Sequence, residues 1–487
     1  MHLFTSWAAL AAASFAAAAA TAAPLDEAST RAIVADVDAY GPRLSKTALD
    51  IWSFAEVGYQ EARSSQRLQQ ELRTAGFTIK AGVAGMPTAF VASFKRGKGP
   101  VIGLLAEYDA LPGLSQAASP ERGPQAGLAN GHGCGHNLFG AASVGAAIAI
   151  KDWMIANRVD GEVRVYGSPA EEGGSGKVFL VKSGLTKDVD AMIHWHPSDR
   201  NSADQGHALA NVSGKFRFKG VSAHAAAAPD RGRSALDGVE ALDMMVNMMR
   251  EHVPQETRIH YVITDGGKAP NVVPDAAEVY YYVRHPDQKV VSEIMGRVKK
   301  AAEGAALGTG TTVTFAQVGG TFDTLPNDAL GQVMHRNLSR VAAIDYTPAE
   351  RAFADRMKQS LPATRRPAVG TAVPPYSSGQ VYSASSDVGD VSYTTPTVGL
   401  AAATWVEGTA AHSWQAVAAS GTSTGVKGAM VAAKAMALTG AELFRSPEVI
   451  AAAKQELDRR RGPDFVYKAL LENDAPDLDY RKDGKSE

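Results

Sequence analysis

Asn130-Gly131-His132-Gly133-Cys134-Gly135-His136-Asn137 puts two histidines and the only cysteine of the 487-residue chain into one glycine-spaced loop. A thiolate and an imidazole two residues apart can both ligate a transition metal, and the glycines between them let the backbone fold closely around an ion. The loop alone is half a site. Where the missing ligands lie in the chain decides what fold must bring them together.

Outward from the loop, four apolar runs each lead to an acid or a histidine. Val101 to Ala106 runs into Glu107-Tyr108-Asp109, and Val163 to Gly167 passes through Ser168-Pro169-Ala170 into Glu171-Glu172. Ala191 to Ile193 leads to His194-Trp195-His196, and Thr397 to Leu400 leads to His412-Ser413-Trp414. In open α/β sheets the ligand crevice lies outside the carboxyl ends of the strands, so four strands delivering such groups at that end describe one site. Helical patterns separate them: Ser29 to Gly76, the small-residue apolar stretch Leu138 to Asn157 directly behind the loop, and Thr424 to Thr439.

The acid pair Glu171-Glu172 has an obvious division of labour, in which one carboxylate binds a metal and the other stays off it to take a proton from the attacking water. His196 and His412 are the remaining ligand candidates. His194 would share a strand face with His196, so spacing leaves that choice open. Asp109 suits an outer position, orienting a ligand histidine. Gly173-Gly174-Ser175-Gly176-Lys177 fails the phosphate-loop frame, because Glu171 stands where its first glycine belongs and Val178 follows the lysine. Ser383 to Ser386 lacks a paired His-Asp frame for a serine nucleophile. Both read as loop chemistry, and Glu56 reads as a solvated charge.

Between residues 211 and 322 the texture changes to β-α-β-β-α-β, the order of a ferredoxin-like unit. Ligand candidates lie on both sides of it, so it is read as an insertion. The expected organisation is a leader at 1–22, a catalytic domain in two parts at 23–210 and 323–445, the insertion at 211–322, and a charged tail at 446–487. Residues 327 to 380 are poorly periodic and read as a long loop with some helix covering the site. The tail reads as a peripheral helix and a frayed end.

A net charge of −2 with no Lys/Arg-rich run argues against nucleic acid as a partner. The apolar, uncharged stretch Met1 to Ala23, with Ala20-Thr21-Ala22 before Pro24, reads as a secretory signal, which implies a periplasmic or secreted protein. No later run is long and apolar enough to span a bilayer, so no membrane association is expected once the signal is removed. One cysteine makes no internal disulfide, and metal ligation would explain a free thiol in an oxidising compartment.

Seven ordered motifs carry a family resemblance: Glu107-Tyr108-Asp109-Ala110-Leu111-Pro112, His132 to His136, Glu171-Glu172, His196, Gly220-Val221-Ser222-Ala223-His224, Asn271-Val272-Val273-Pro274-Asp275 and Ala411-His412-Ser413. They resemble the M20 group of metallopeptidases and amidohydrolases, in the branch where a cysteine replaces the bridging carboxylate. Asn137, Ser386 to Ser392 and Gly408 to Gln415 are similar to one of the two subunit types of the aminobenzoyl-glutamate hydrolases within it. The resemblance implies an α/β, mixed-sheet, zinc-peptidase-like catalytic domain with an inserted ferredoxin-like (βαββαβ) lid and dimerisation domain. It implies two divalent ions bridged by Cys134 and completed by His136, Glu172, His196 and His412, with Glu171 as general base and Asp109 behind the ligands. His224 would reach across a homodimer to the oxyanion, and Asn271 and Arg284 would hold the carboxylate of an N-acyl amino acid substrate. Thiolate and imidazole favour Zn2+, while carboxylates also admit Mn2+. A dipeptidase and a non-catalytic ligand-binding protein are the competing readings; an acid left off the metal argues for an enzyme.

Overall fold

The computed structural model describes residues 24–362 and 371–481; the expected leader lies outside the described residues. Five strands of the main sheet arise before the insertion: β1 (Thr78–Ala81), β2 (Phe90–Arg96), β3 (Val101–Ala106), β4 (Gly161–Gly167) and β5 (Ala191–Ile193). The short strand Thr397–Val398 joins them from far along the chain, and the spatial order is β1-β2-β4-β3-β5 followed by that strand. Strand β3 runs parallel to both β4 and β5, and Thr397–Val398 runs parallel to β5, while β2 is antiparallel to both β1 and β4. The four apolar runs are therefore the four contiguous parallel strands, and their carboxyl ends face one edge of the sheet. Ile102 to Ala106 are all buried, as expected for a strand covered on both faces.

Helix α1 (Glu27–Phe54), helix α2 (Ala62–Thr74) and helix α3 (His136–Ala156) cover the sheet together with Ser423–Arg445. Contrary to the expectation that no later run could span a bilayer, helix α3 is long and apolar enough to do so. It is apolar, however, because most of it is buried inside the protein. It starts directly after Gly135, whose φ of 74° is a left-handed conformation suited to glycine. At Gly140 a Cβ would stand 2.7 Å from the Glu107 carbonyl, so only glycine lets the helix lie against the end of β3.

The insertion forms its own four-stranded antiparallel sheet, in the order Thr312–Thr321, Ala210–Lys219, Ala276–His285, Arg258–Asp265. Helices Ala235–Met249 and Gln288–Thr309 pack on one face, with a hydrophobic cluster separate from the main core. The alternation at Lys215 to Lys219 works as strands do: Phe216 and Phe218 are buried, while Arg217 and Lys219 face solvent.

Two further expectations fail. Within residues 327 to 380, of which 363–370 lie outside the described residues, more is helix than the reading of a long covering loop with some helix expected. Asp328–Val341 is a helix capped by Asn327, with Leu330, Val333, Met334, Asn337 and Leu338 buried on one stripe, and it packs against Ser423–Arg445. Pro348–Lys358 is a second helix with a capping box between Thr347 and Glu350. The tail is not frayed over its described length either. After the helix Pro447–Arg461 the chain stays on the protein, burying Leu471 in the main core.

Candidate metal centre

The glycine-spaced loop is fastened from behind. His132 Nε2 lies 3.1 Å from the Ile51 carbonyl, and burial pushes its pKa down to about 4, so it is a neutral structural group. Asn137 Nδ2 donates to the carbonyls of Ala48 and Ser420, each at 3.1 Å. Asparagine suits this place because a carboxylate would face two acceptors. With both flanks tied down, Cys134 and His136 face the carboxyl ends of the strands.

There they meet the other candidates in two sets that share one sulfur. Ligating atoms of Cys134, His136 and His196 all lie within 4.8 Å of one another, and so do those of Cys134, Glu172 and His412. Cys134 Sγ is 3.4 Å from His196 Nε2, and His412 Nε2 is 3.1 Å from Glu172 Oε1. Asp109 stands behind both sets: Oδ1 meets His136 Nδ1 at 2.9 Å and Oδ2 accepts from the Glu172 N–H at 2.9 Å. His194 is in neither set; it is packed against Gly399, and burial lowers its pKa to about 4. Geometry therefore separates two histidines that spacing could not.

The donor set fits divalent cations. His136 Nε2 and Glu172 Oε1 are buried without hydrogen-bond partners, although each has an oppositely polar atom 3.1 Å away. Native proteins rarely leave such atoms unpaired unless an ion or a function accounts for them. Burial, and then the Glu172 charge, pushes the Cys134 thiol well above its usual range. Burial and the neighbouring Glu107 and Glu172 charges do the same to Glu171. A cation among them relieves both penalties at once. Ala170, Ser175 and His412 have φ of 57°, 57° and 60°, so the acid-bearing turn and the His412 loop hold left-handed non-glycine residues. Such strain is characteristic of functional sites.

Sequence reasoning missed the groups beneath Glu171. Lys177 is fully buried, with Nζ 2.6 Å from Glu107 Oε1 and 2.6 Å from Asp387 Oδ1, and its N–H donates to Asp387 Oδ2 at 2.9 Å. It is a buried ion-pair group rather than loop chemistry. A lone lysine heading the otherwise apolar run Val178 to Val181 was the available signal. Glu107 Oε2 approaches His136 Nε2, and Glu107, His136 and Glu171 form a third close set of ligand-type groups.

The insertion does not bring its three candidates together in one chain. His224 is exposed, and its Nδ1 accepts from the N–H groups of Ala226 and Ala227, both at 3.2 Å, which directs the ring proton of the neutral form to Nε2. Asn271 lies beside it, its carbonyl accepting from Ala225 N–H at 3.0 Å. Arg284 is at the other end of the strand Ala276–His285, which is roughly 30 Å long at the usual rise per residue. The expected pairing of Asn271 with Arg284 on one carboxylate therefore fails within a protomer. The Arg284 end abuts the turn carrying Glu171 and Glu172, where a Cβ on Gly173 would lie 3.4 Å from Tyr282 Oη.

Residues 210–309 match the model of a peptidase dimerisation domain. The chain is 40% identical over 447 residues to one of the two subunits of p-aminobenzoyl-glutamate hydrolase of Escherichia coli, an alignment covering 86% of this chain and 93% of that protein. It is 31% identical over 307 residues to the Xaa-Arg dipeptidase of Mus musculus, covering 60% and 67%. A dinuclear metal-binding peptidase of the M20 family from Bacillus subtilis superposes with a TM-score of 0.56 at 17% identity, covering 84% of this chain and 99% of that one. An aminobenzoyl-glutamate utilization protein from Klebsiella pneumoniae gives 0.56 at 17% identity, over 80% and 96%.

Proposed function

The chain belongs to the M20 family of peptidases and amidohydrolases, and on that premise we propose that it cleaves the amide bond of N-acyl or N-aroyl amino acids, aminobenzoyl-glutamate being the model substrate. The observation that carries this reading is one sulfur, Cys134, common to two donor sets, with Glu171 in neither of them. Cys134, His136 and His196 would hold one divalent ion, and Cys134, Glu172 and His412 the other, as Zn2+ or Mn2+. When bound, the pair supplies Lewis-acid polarisation of the scissile carbonyl and acidifies water.

The chain's own groups do the rest. Glu171 takes the proton of the attacking water and delivers it to the leaving amine nitrogen. Asp109 orients His136 through Nδ1. Arg284 offers a planar fork to the substrate carboxylate. His224 Nε2–H is a donor for the oxyanion, worth on the order of 3 kcal/mol, but it serves the site of a second copy.

The same geometry supports a homodimer. The far end of the inserted sheet carries His224 and Asn271 but none of the candidate metal ligands, and among the described residues the edge strand Arg258–Asp265 has no neighbour on one side. Beside that edge Met244 and Met248 are 61% and 63% exposed, with Tyr261, Val262 and Ile263 also exposed. An unpaired strand edge flanked by exposed apolar side chains is a pairing surface.

Assays of metal-loaded protein on benzoyl- and aminobenzoyl-glutamate beside unblocked dipeptides test the substrate class, because a dipeptidase requires the free amine. Glu171→Gln should keep its metal and lose turnover by about 10²–10⁴-fold; a fully active variant would refute the assignment. We also propose export, on the uncharged apolar leader; a mature N-terminus near Pro24 in the periplasmic fraction is the expected result.

A further inference from the structure

The strap formed by residues 463–481 runs from one domain to the other and ends on the catalytic turn. Tyr467 Oη donates to Asp390 Oδ1 at 2.7 Å. Gln317, on the edge strand of the inserted sheet, donates to the Leu470 carbonyl at 2.8 Å and accepts from Glu472 N–H at 3.1 Å. Gln60 donates to the Leu478 carbonyl at 2.8 Å, and the Tyr480 ring packs edge-on against Tyr59 at 5.7 Å. The strap then reaches Glu172: Arg481 Nη2 donates to its carbonyl, and Tyr480 Oη donates to the same oxygen at 3.3 Å.

That carbonyl matters because Glu171 and Glu172 must point to different places from adjacent positions. The turn holding them is strained at Ala170 and Ser175, at roughly 1–3 kcal/mol each, and such conformations persist only where the surroundings over-determine them. Asp109 grips the Glu172 N–H, and Tyr59 Oη donates to the Gly174 carbonyl at 2.6 Å. The peptide between Glu172 and Gly173 is tied on its N–H side only to the turn itself, Gly173 N–H donating to the Glu171 carbonyl at 2.7 Å, and its oxygen is the one the strap holds. The Arg481 guanidinium also faces the insertion, since a Cβ at Gly173 would lie 3.5 Å from Nη2 and 3.4 Å from Tyr282 Oη.

We propose that Arg481, backed by Tyr480, is a positioning residue: by fixing the Glu172–Gly173 peptide it keeps the Glu172 carboxylate turned to Cys134 and His412 while Glu171 stays off that set. The activity arm of the test rests on the amide-hydrolase reading; the metal arm does not. In the full-length, metal-reconstituted protein, Arg481→Ala should lower kcat on benzoyl-glutamate by about tenfold or more, with KM little changed. It should weaken binding of one of the two Zn2+ equivalents by a similar factor and leave Tm unaltered. Arg481→Lys, which can still donate to a carbonyl, should recover most of both. If the unsubstituted protein cleaves no aroyl amino acid, the substrate class falls, and Zn2+ titration of Arg481→Ala still judges the strap. Unchanged Zn2+ affinities overturn the proposal. So does a raised KM at constant kcat, which would make Arg481 a substrate contact, and so does a loss that follows a fall in Tm.

Discussion

At one end of the inserted sheet, Tyr282 abuts the turn carrying Glu171 and Glu172, and the backbone of that turn is held by partners from the same chain. At the other end, the loops carrying His224 and Asn271 bond to each other and stand beside an open strand edge. The first end draws its groups from one chain. The second, on the proposed homodimer, would serve another copy. Burial explains the difference: at the first end Lys177 offsets Glu107 and Asp387, and the proposed cations would offset the remaining carboxylates and the thiol, whereas solvated imidazole and amide groups need no partner and can wait for one.

The largest expected effect tests the first end. Cys134→Ala removes the donor common to both sets, so metal analysis after dialysis should find both cations lost and turnover at background; two retained equivalents would break the shared-sulfur geometry. The next addresses the second end. His224→Ala should lower kcat by about 10²–10³-fold with metal content and Tm intact. Mixing it with Glu171→Gln during refolding should restore part of the activity, because one site of the hybrid dimer then has both groups. No recovery would mean that His224 acts within its own chain.

Two smaller effects sharpen the account of burial. Lys177→Met leaves Glu107 and Asp387 as uncompensated buried acids and should cost about 3–5 kcal/mol in urea unfolding. Asp390, which anchors the strap through Tyr467, has its pKa raised from 3.8 to about 7, chiefly by burial. Its unfolded form therefore loses a proton first, and unfolding free energy should fall as pH rises from about 4 to 7 and then level off. Asp390→Asn should remove that component, so a pH-stability profile parallel to the parent's would contradict it.

Much of the fold was legible because it rests on short-range patterns. The four runs ending in acids or histidines became the parallel strands, and the β-α-β-β-α-β order appeared as expected. The helix Asp328–Val341 was missed although its stripe from Leu330 to Leu338 was in the sequence, because the prolines that follow it made the whole stretch read as poorly periodic. The Lys177–Glu107–Asp387 contact was not legible, since its members lie 70 and 210 positions apart and each alone looks like an ordinary charge. Nor was the strap, because charged tail composition predicts solvation while the tail's few aromatic and apolar residues do the docking.

The amino-acid sequence by itself determined which chemical groups are present, their order, and the periodicities that build the strands and helices. Tertiary structure alone decided that His196 joins Cys134 while His194 turns away, that His132 is structural, and that Asn271 sits with His224 rather than Arg284. The physical reason is range. Strand and helix patterns are set by neighbours within a few positions, but a ligand set is defined by distances of a few ångströms between residues far apart in the chain, and only packing sets those.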